Sequence, residues 1–138
     1  LNVLQAFIDN SNQDSLNMTM DYDSNSIIDA LELGEQAWAL NHLTKLDCFG
    51  GTADCNLSGE LPQNLGDLTE LISLDLKSNN LTSNIPETIC SLTLLDWDST
   101  GDLSSKSHIY NNKLCPPYPE CIAPYVGDQD TVGCPTDE

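Results

Sequence analysis

Apolar residues recur at an uneven but ordered spacing in residues 68–92, LTELISLDLKSNNLTSNIPETICSL. The spacing follows LxxLxLxxNxLxxxIPxxIxxL, which fits neither the ~3.6-residue period of a helix nor the two-residue period of a strand. Its members are Leu71, Leu74, Leu76, Asn79, Leu81, Ile85, Pro86, Ile89 and Leu92. The pattern predicts one coil of a solenoid, made of a short strand, a tight turn and an irregular arc.

The same pattern occurs on both sides of this stretch. A shift of 24 residues toward the N terminus matches Leu57, Leu61, Pro62, Leu65 and Leu68. A shift of 33 residues toward the C terminus matches Ile109, Asn112, Leu114, Tyr118, Pro119 and Ile122. The first repeat, with Leu46 and Cys48 in its strand, has about four extra residues within 50–54, and the third has about nine within 95–106. Because one coil cannot bury its apolar edge alone, the sequence predicts about three stacked coils whose ends are covered.

These motifs resemble the plant-type leucine-rich repeat. The resemblance implies a short α/β solenoid with a parallel β-sheet on its concave face, and that face is the one the family uses for binding. The Asn of each repeat is expected to satisfy backbone groups in the turn after the strand. Three parts are predicted: an N-terminal cap over residues 1–42, repeats over 43–122, and a C-terminal cap over 123–138.

A second pattern lies before the repeats, in residues 21–32, DYDSNSIIDALE. Positions 1, 3, 5, 7, 9 and 12 match the calcium-binding loop of an EF-hand, in which the seventh residue offers its carbonyl and the last Glu binds with both oxygens. The residues at these positions are Asp21, Asp23, Asn25, Ile27, Asp29 and Glu32. Ser26 departs from the pattern, because position 6 is ordinarily Gly. The loop predicts a structural calcium site, with a solvated acidic loop as the alternative.

The flanks of the loop are predicted to complete a helical cap. Residues 1–10 place Leu1, Leu4, Phe7 and Ile8 on one face of an amphipathic helix. Residues 32–40, ELGEQAWAL, predict an exiting helix with Trp38 available for the core. Residues 15–20 alternate more as a strand does. This cap is expected to cover the open edge of the first repeat.

At the other end, residues 114–134 are rich in Pro and Cys and are expected to close the last repeat. The whole layout resembles secreted bacterial leucine-rich repeat proteins that join a calcium-type loop to plant-type repeats and a CPPYPxC tail. The start of the chain at Leu1, without Met, is expected of a processed secreted product.

Six cysteines in 138 residues favour an oxidising, extracellular compartment. They are Cys48, Cys55, Cys90, Cys115, Cys121 and Cys134. The local interpretation pairs Cys48 with Cys55, although Cys55 also suits the Asn position of the repeat. Cys90–Cys115 with Cys121–Cys134 is the preferred arrangement of the others, and the sequence alone does not fix it.

The net charge limits the classes of partner that are expected. With 22 acidic and four basic residues, the net charge is −18, which excludes the basic patch that binds nucleic acid or anionic membranes. No apolar run approaches the ~18–20 residues of a membrane-spanning helix, so no membrane insertion is expected. The expected partner is an extracellular protein or glycan.

The repeat register predicts which residues share the concave face. It aligns Lys45 and Lys106 with Ser73, and Asp47 and Asp75 with His108. A third row holds Phe49, Lys77 and Tyr110. The predicted ligand-binding residues are Lys45, Phe49, Asp75, Lys77, His108 and Tyr110. The alternative is that Lys–Asp pairs only neutralise one another across strands.

Three sequons, at Asn17, Asn56 and Asn80, are candidate glycosylation sites. The alternative is that Asn, Leu and Ser or Thr simply belong to this point of the repeat.

The sequence contains no nucleophile elbow and no glycine-rich phosphate loop after a strand, so no enzyme is expected. Two kinds of function compete: recognition or adhesion through the concave face, and self-assembly into an extracellular fibre or surface layer through heterologous end contacts.

Overall fold

The computed structural model describes residues 2–11, 16, 20–48, 55–97 and 107–135. These residues form one α-helix, α1 (Asn2–Asn10), and six strands. The strands are β1 (Glu35–Ala39), β2 (His42–Asp47), β3 (Ser58–Glu60), β4 (Ser73–Asp75), β5 (Asn80–Asn84) and β6 (Lys113–Cys115). Short 3-10 turns lie at Ala30–Glu32, Leu65–Asp67, Glu87–Ser91 and Ala123–Tyr125. None of these helical segments is long and apolar enough to cross a membrane.

The first sheet has the order β1-β2-β4. β2 and β4 are parallel, with Lys45 beside Ser73 and Asp47 beside Asp75, and a further parallel bridge joins Asp75 to His108. The predicted rows of this face are therefore confirmed for these five residues. The register follows because Leu46 and Leu74 must both point to the buried side, which leaves their neighbours on the opposite face.

The second sheet, β3-β5-β6, is parallel throughout, and its register differs from the sequence alignment by two residues. The alignment places Leu57 beside Leu81, whereas the structure places Gly59 there. The cause is local: the Leu57 N–H donates to the side chain of Asn79 rather than to a strand. The Leu57 carbonyl in turn accepts from the N–H of Asn80, at 2.8 Å.

One hydrophobic core joins both sheets to the helix. Apolar positions from each of the predicted repeats are buried in it, including Leu46, Leu57, Leu74, Leu81, Ile109 and Leu114. The predicted amphipathic helix is confirmed, because α1 buries Leu4, Phe7 and Ile8 in the same core, together with Val3, while Leu1 lies outside the described residues. Its C-terminal end lies against β3, where the Asn10 side chain donates to the Glu60 carbonyl at 2.9 Å.

The predicted exiting helix is wrong. A single 3-10 turn, Ala30–Glu32, is followed by β1, which forms an antiparallel hairpin with β2. Gly34 ends the turn with a φ of 60°, and Leu40 and Asn41 take positive φ at the hairpin tip. Trp38 consequently lies on a strand and is 40% exposed instead of filling the core. The predicted strand over residues 15–20 lies largely outside the described residues.

The disulfides confirm one predicted pair and correct two. Cys48 bonds to Cys55, but the remaining bonds are Cys90–Cys121 and Cys115–Cys134. Ile89 and Ile122 hold matching places in adjacent repeats, so Cys90 and Cys121, which flank them, are neighbours across the stack. Cys115 ends β6 and faces the tail instead. The alternative interpretation, that Cys55 takes the Asn position of the repeat, stays a prediction.

Candidate metal loop and concave face

The loop of residues 21–32 gathers three carboxylates. Oxygen atoms of Asp21, Asp23 and Glu32 lie within 4.8 Å of one another, which makes them the one group of metal-ligating side chains in the described part of the chain. Three of the six predicted ligands are thus brought together. Asn25 lies beside them and donates to Asp23 Oδ2 at 3.0 Å.

Backbone hydrogen bonds shape this loop around its first carboxylate. Asp21 accepts the N–H groups of Asn25, at 3.1 Å, and Ser26, at 2.8 Å. Ser26 has a φ of 71°, the left-handed conformation that glycine usually supplies. Position 6 therefore departs from the EF-hand pattern only in residue type. Its backbone still makes the turn that glycine makes in the pattern.

Glu32 closes the loop from its other end. Its carboxylate is buried, with 7% of the residue exposed, and it accepts the N–H groups of Tyr22 at 3.0 Å and Asp23 at 3.2 Å. It also accepts the N–H of Asp29, whose own carboxylate accepts from Leu31. Asp29 and Glu32 form a capping box on the 3-10 turn, so Asp29 serves here as a cap.

Negative charge accumulates in the loop. The pKa of the Asp23 carboxyl is raised, first by loss of hydration and further by Asp21 and Glu32, although the Asn25 N–H opposes the shift. The ion pairs of the described residues, Lys45–Asp47 and Lys77–Asp75, lie elsewhere. No described lysine forms an ion pair with these three close carboxylates. They therefore fit a hard divalent cation, which prefers oxygen ligands. The Ile27 carbonyl as a ligand stays a prediction.

The loop is tied to the core by its apolar residues. Ile28 is fully buried beside Leu33, in the cluster that contains Phe7 of α1. Ile28 holds position 8 of the loop, where the EF-hand pattern has an apolar residue. A change in the conformation of the loop would therefore alter the packing of α1.

Two asparagines link the repeats as expected. Asn79 Oδ1 accepts from the Leu57 N–H at 2.8 Å, and its amide donates to the Cys48 and Leu76 carbonyls. Asn112 does the same one repeat later, accepting from Leu81 at 3.0 Å and donating to Leu76 at 2.9 Å. Each side chain thereby binds its own repeat to the preceding one.

Gln129, which the sequence analysis did not single out, continues this row. Its Oε1 accepts from the Leu114 N–H at 3.0 Å, and its Nε2 donates to the Ile109 carbonyl at 3.0 Å. Ile109 holds the place that Cys48 and Leu76 hold in the earlier repeats. The sequence does place an amide side chain, Gln129, one strand and one arc after Asn112. The residues around Gln129 lack the repeat pattern, so the sequence did not predict this role.

The concave face differs from the predicted open platform. Asp75, Lys77 and His108 are all buried, at 6%, 8% and 1% exposure. Lys77 pairs with Asp75 at 2.5 Å, and the His108 ring meets Tyr110 edge-on, with centroids 5.6 Å apart. Lys77 and Asp75 therefore satisfy one another within the fold. Phe49 and Lys106 lie outside the described residues.

Lys45 and Tyr110 remain partly accessible on this face. Lys45 keeps 43% of its side chain exposed while it pairs with Asp47 at 3.1 Å. The pKa of the Asp47 carboxyl is raised, because burial and the nearby Asp75 and Glu35 charges outweigh the opposing effect of Lys45. The accessible part of the face thus combines a lysine with an aromatic ring.

The sequons at Asn56 and Asn80 are both exposed. Their side chains meet, with Asn80 Nδ2 lying 3.5 Å from Asn56 Oδ1. Asn17 lies outside the described residues, and glycosylation stays a prediction at all three.

Comparison with known proteins adds one assignment. The family described as Leucine Rich Repeat matches residues 70–92, which contain β4 and β5. No curated protein matches the chain. Residues 70–92 are therefore a leucine-rich repeat, a unit that generally mediates protein–protein interaction.

Proposed function

We propose that this protein is an extracellular, non-enzymatic recognition module. In this proposal a plant-type leucine-rich repeat solenoid of about three coils binds a protein or glycan through its concave face. Calcium holds the N-terminal cap, and disulfides hold the C-terminal one. The observation that carries the proposal is that both ends of the repeat stack are covered by chain segments outside the repeats.

At the N-terminal end, the cover consists of α1 and the acidic loop. α1 buries four apolar side chains, and Ser11, just after it, donates to the Ser58 carbonyl at the start of β3 at 3.0 Å. The loop packs Ile28 against the same core. This side of the first repeat is therefore occupied by the chain itself.

At the C-terminal end, Gln129 occupies the place of the next asparagine, and Cys134 fastens the tail to Cys115. The N–H of Asp130 also donates to the Asn112 carbonyl at 2.9 Å. Stacking of another copy directly onto the first or the last predicted repeat would have to displace these contacts. The covered ends favour a discrete module over the alternative, a subunit of an extracellular fibre or surface layer.

Calcium is the cofactor that the donor set fits best. Asp21, Asp23, Asn25 and Glu32 would hold it, with the Ile27 carbonyl as a further oxygen. The ion would compensate the close carboxylates and thereby stabilise the cap, which is a structural role. Three disulfides support an oxidising, extracellular compartment.

The contact surface proposed for the ligand is the accessible part of the concave face, namely Lys45 and Tyr110. Asp75, Lys77 and His108 would support it from beneath, because all three are buried and Asp75 pairs with Lys77. An accessible aromatic ring and an accessible cation on one face suit both glycans and protein hot spots.

A binding screen tests the proposal. The labelled protein, with calcium, would be applied to arrays of glycans and of secreted proteins, and each hit measured with a Lys45→Ala/Tyr110→Ala variant. We expect the double variant to lose affinity at least about tenfold. Lys113→Ala removes an equal charge from the other sheet and is the control, expected to bind as the parent does. Hits that the double variant retains at full affinity would contradict the proposed face.

Particle size tests the alternative. Light scattering and electron microscopy, with calcium and with chelator, should find monodisperse particles if the module is discrete. Filaments that grow with protein concentration would favour the assembly function instead.

A further inference from the structure

Exposed apolar side chains are concentrated on the N-terminal cap. Of nine large apolar residues exposed in the described chain, five lie between residues 22 and 40. They are Tyr22, Ile27, Leu31, Trp38 and Leu40. Clustered exposure of this kind marks interaction surfaces more often than single exposed residues do.

Trp38 is presented in a fixed orientation. Its indole N–H donates to Gln36 Oε1 at 2.9 Å. The Gln36 amide in turn donates to the carbonyls of Ala30 and Leu33, each at 2.8 Å. These bonds anchor the ring to the 3-10 turn while much of its surface stays open. An aromatic side chain that is already ordered loses little entropy on binding.

Leu40 stands at the hairpin tip in a conformation that suits other residues better. It has a φ of 50° and is 93% exposed. Asn, Asp or Gly is favoured at this place in such a turn, because a larger side chain crowds the backbone. The leucine therefore contributes neither burial nor favourable turn geometry to the fold.

Leu31, Trp38, Leu40 and Asn41 line one depression of about 590 Å³. The depression lies beside β1, which pairs on one side only, with β2, among the strands that the structure describes. A sheet edge with a free row of backbone N–H and C=O groups accepts an extended peptide as an added strand. Alternate side chains of such a strand would reach the depression.

Charge specifies the occupant. None of the four lining residues is basic, and Glu35 begins β1 in an exposed position. The adjoining groove, which shares Trp38, is lined by Asp67 and Glu70. A second copy of this chain would bring another net charge of −18 and be repelled. A positively charged segment would be attracted.

We propose that the edge of β1 that no described strand pairs with binds an extended, positively charged segment of a partner protein as an added strand, with an apolar side chain seated among Leu31, Trp38 and Leu40. This surface is separate from the concave face and adds a second contact to the recognition function proposed above.

Trp38 itself provides the readout. The chain has two tryptophans, so a Trp97→Phe background leaves Trp38 as the reporter. A synthetic peptide of alternating lysine and valine, added with calcium present, should shift the Trp38 emission saturably to shorter wavelength. Added salt should weaken the binding. A glutamate–valine peptide and a lysine–valine peptide interrupted by proline should not bind.

Two variants separate binding from folding, with a labelled peptide followed by anisotropy. Leu40→Asn is expected to weaken binding about tenfold while raising the melting temperature, because asparagine tolerates the turn. Trp38→Ala is expected to abolish binding. Leu94→Asn, which changes an exposed leucine after the repeat, is the control and should bind as the parent does.

Three outcomes would overturn the proposal. They are equal binding of the acidic peptide, unchanged affinity in Leu40→Asn and Trp38→Ala, and self-association that sedimentation velocity shows to be lost in Trp38→Ala. The last would assign the surface to a second copy of this chain.

Discussion

Gly59 lies so close to Asn10 that a Cβ atom at Gly59 would stand 1.9 Å from the Asn10 carbonyl oxygen. Gly59 also has a φ of 75°. Because helix α1 closes onto β3 at this point, the contact between cap and repeats requires a residue without a side chain.

We expect Gly59→Ala to lower the free energy of unfolding by about 3 kcal/mol, since it adds both left-handed strain and overpacking. Urea unfolding followed by circular dichroism measures the change. Gly133→Ala is the control, because nothing lies within 4 Å of its added Cβ, and it should stay within about 0.5 kcal/mol of the parent. Equal stability of the two variants would mean that α1 does not dock at Gly59.

Gln129→Ala is predicted to destabilise the protein by about 2 kcal/mol. The change leaves the Leu114 N–H and the Val126 carbonyl without the side chain that satisfies them, while the Ile109 carbonyl keeps its bond from Asn112. Thermal unfolding monitored by calorimetry provides the measurement. Gln63→Ala removes an exposed glutamine of the first repeat and should have little effect. If both variants melt alike, Gln129 does not act as the end of the asparagine row.

Calcium is predicted to raise the melting temperature of the parent protein, and chelator to reverse the rise. At free calcium about 100 times Kd, the added stability is about 2.7 kcal/mol. Glu32→Gln should remove most of this gain, because it replaces the carboxylate at the buried end of the loop by a neutral amide with a single oxygen. Glu87→Gln, at an exposed position in the 3-10 turn Glu87–Ser91, should respond as the parent does. A full calcium response in Glu32→Gln would exclude the loop as the site.

Terbium offers an independent check on the same site. Tyr22 is exposed within the loop, beside Asp21 and Asp23. Excitation of tyrosine should therefore sensitise the emission of bound terbium, and calcium should compete with it. Tyr22→Phe should lower this sensitised emission without lowering calcium affinity in calorimetry. Sensitised emission that persists in Tyr22→Phe would place the ion elsewhere.

Asp47 is predicted to make stability depend on pH. Its folded pKa is raised above 3.8, so the charged form is disfavoured by folding and Asp47 contributes more stability as the pH falls through the folded pKa. The free energy of unfolding of Asp47→Asn, relative to that of the parent, should therefore be higher at neutral pH than below pH 3.8. Urea unfolding at both pH values tests this, with the exposed Asp67→Asn as the control. A difference between variant and parent that does not change with pH would contradict the prediction.

The strand rows were predictable because burial of Leu46 and Leu74 forces Lys45 and Asp47 to the opposite face. The amphipathic α1 was predictable for the same reason. The spacing of apolar residues is enough to predict these orientations, because each strand or helix has one apolar face, which is buried, and one polar face.

Other features depend on contacts that no local pattern records. Residues 35–39 favour a helix locally, yet pairing with β2 makes them a strand. The partner of Cys90 depends on how adjacent repeats align in space. The burial of Lys77 and His108 depends on what covers the sheet. Gln129 lies outside the repeat pattern, so its role required the fold to be seen.

Two of the three hydrogen-bonding groups that Gln129 meets, the Leu114 N–H and the Ile109 carbonyl, are those that each earlier repeat offers to the next, and the third, the Val126 carbonyl, belongs to the tail. The tail therefore binds the last predicted repeat through the same backbone groups that the earlier repeats present to the repeat that follows them. Insertion or removal of a whole repeat ahead of Leu114 would present the same surface to the same glutamine. The length of the stack is in this sense adjustable, and the segment of residues 126–134 is a transplantable terminus for engineered arrays of this repeat.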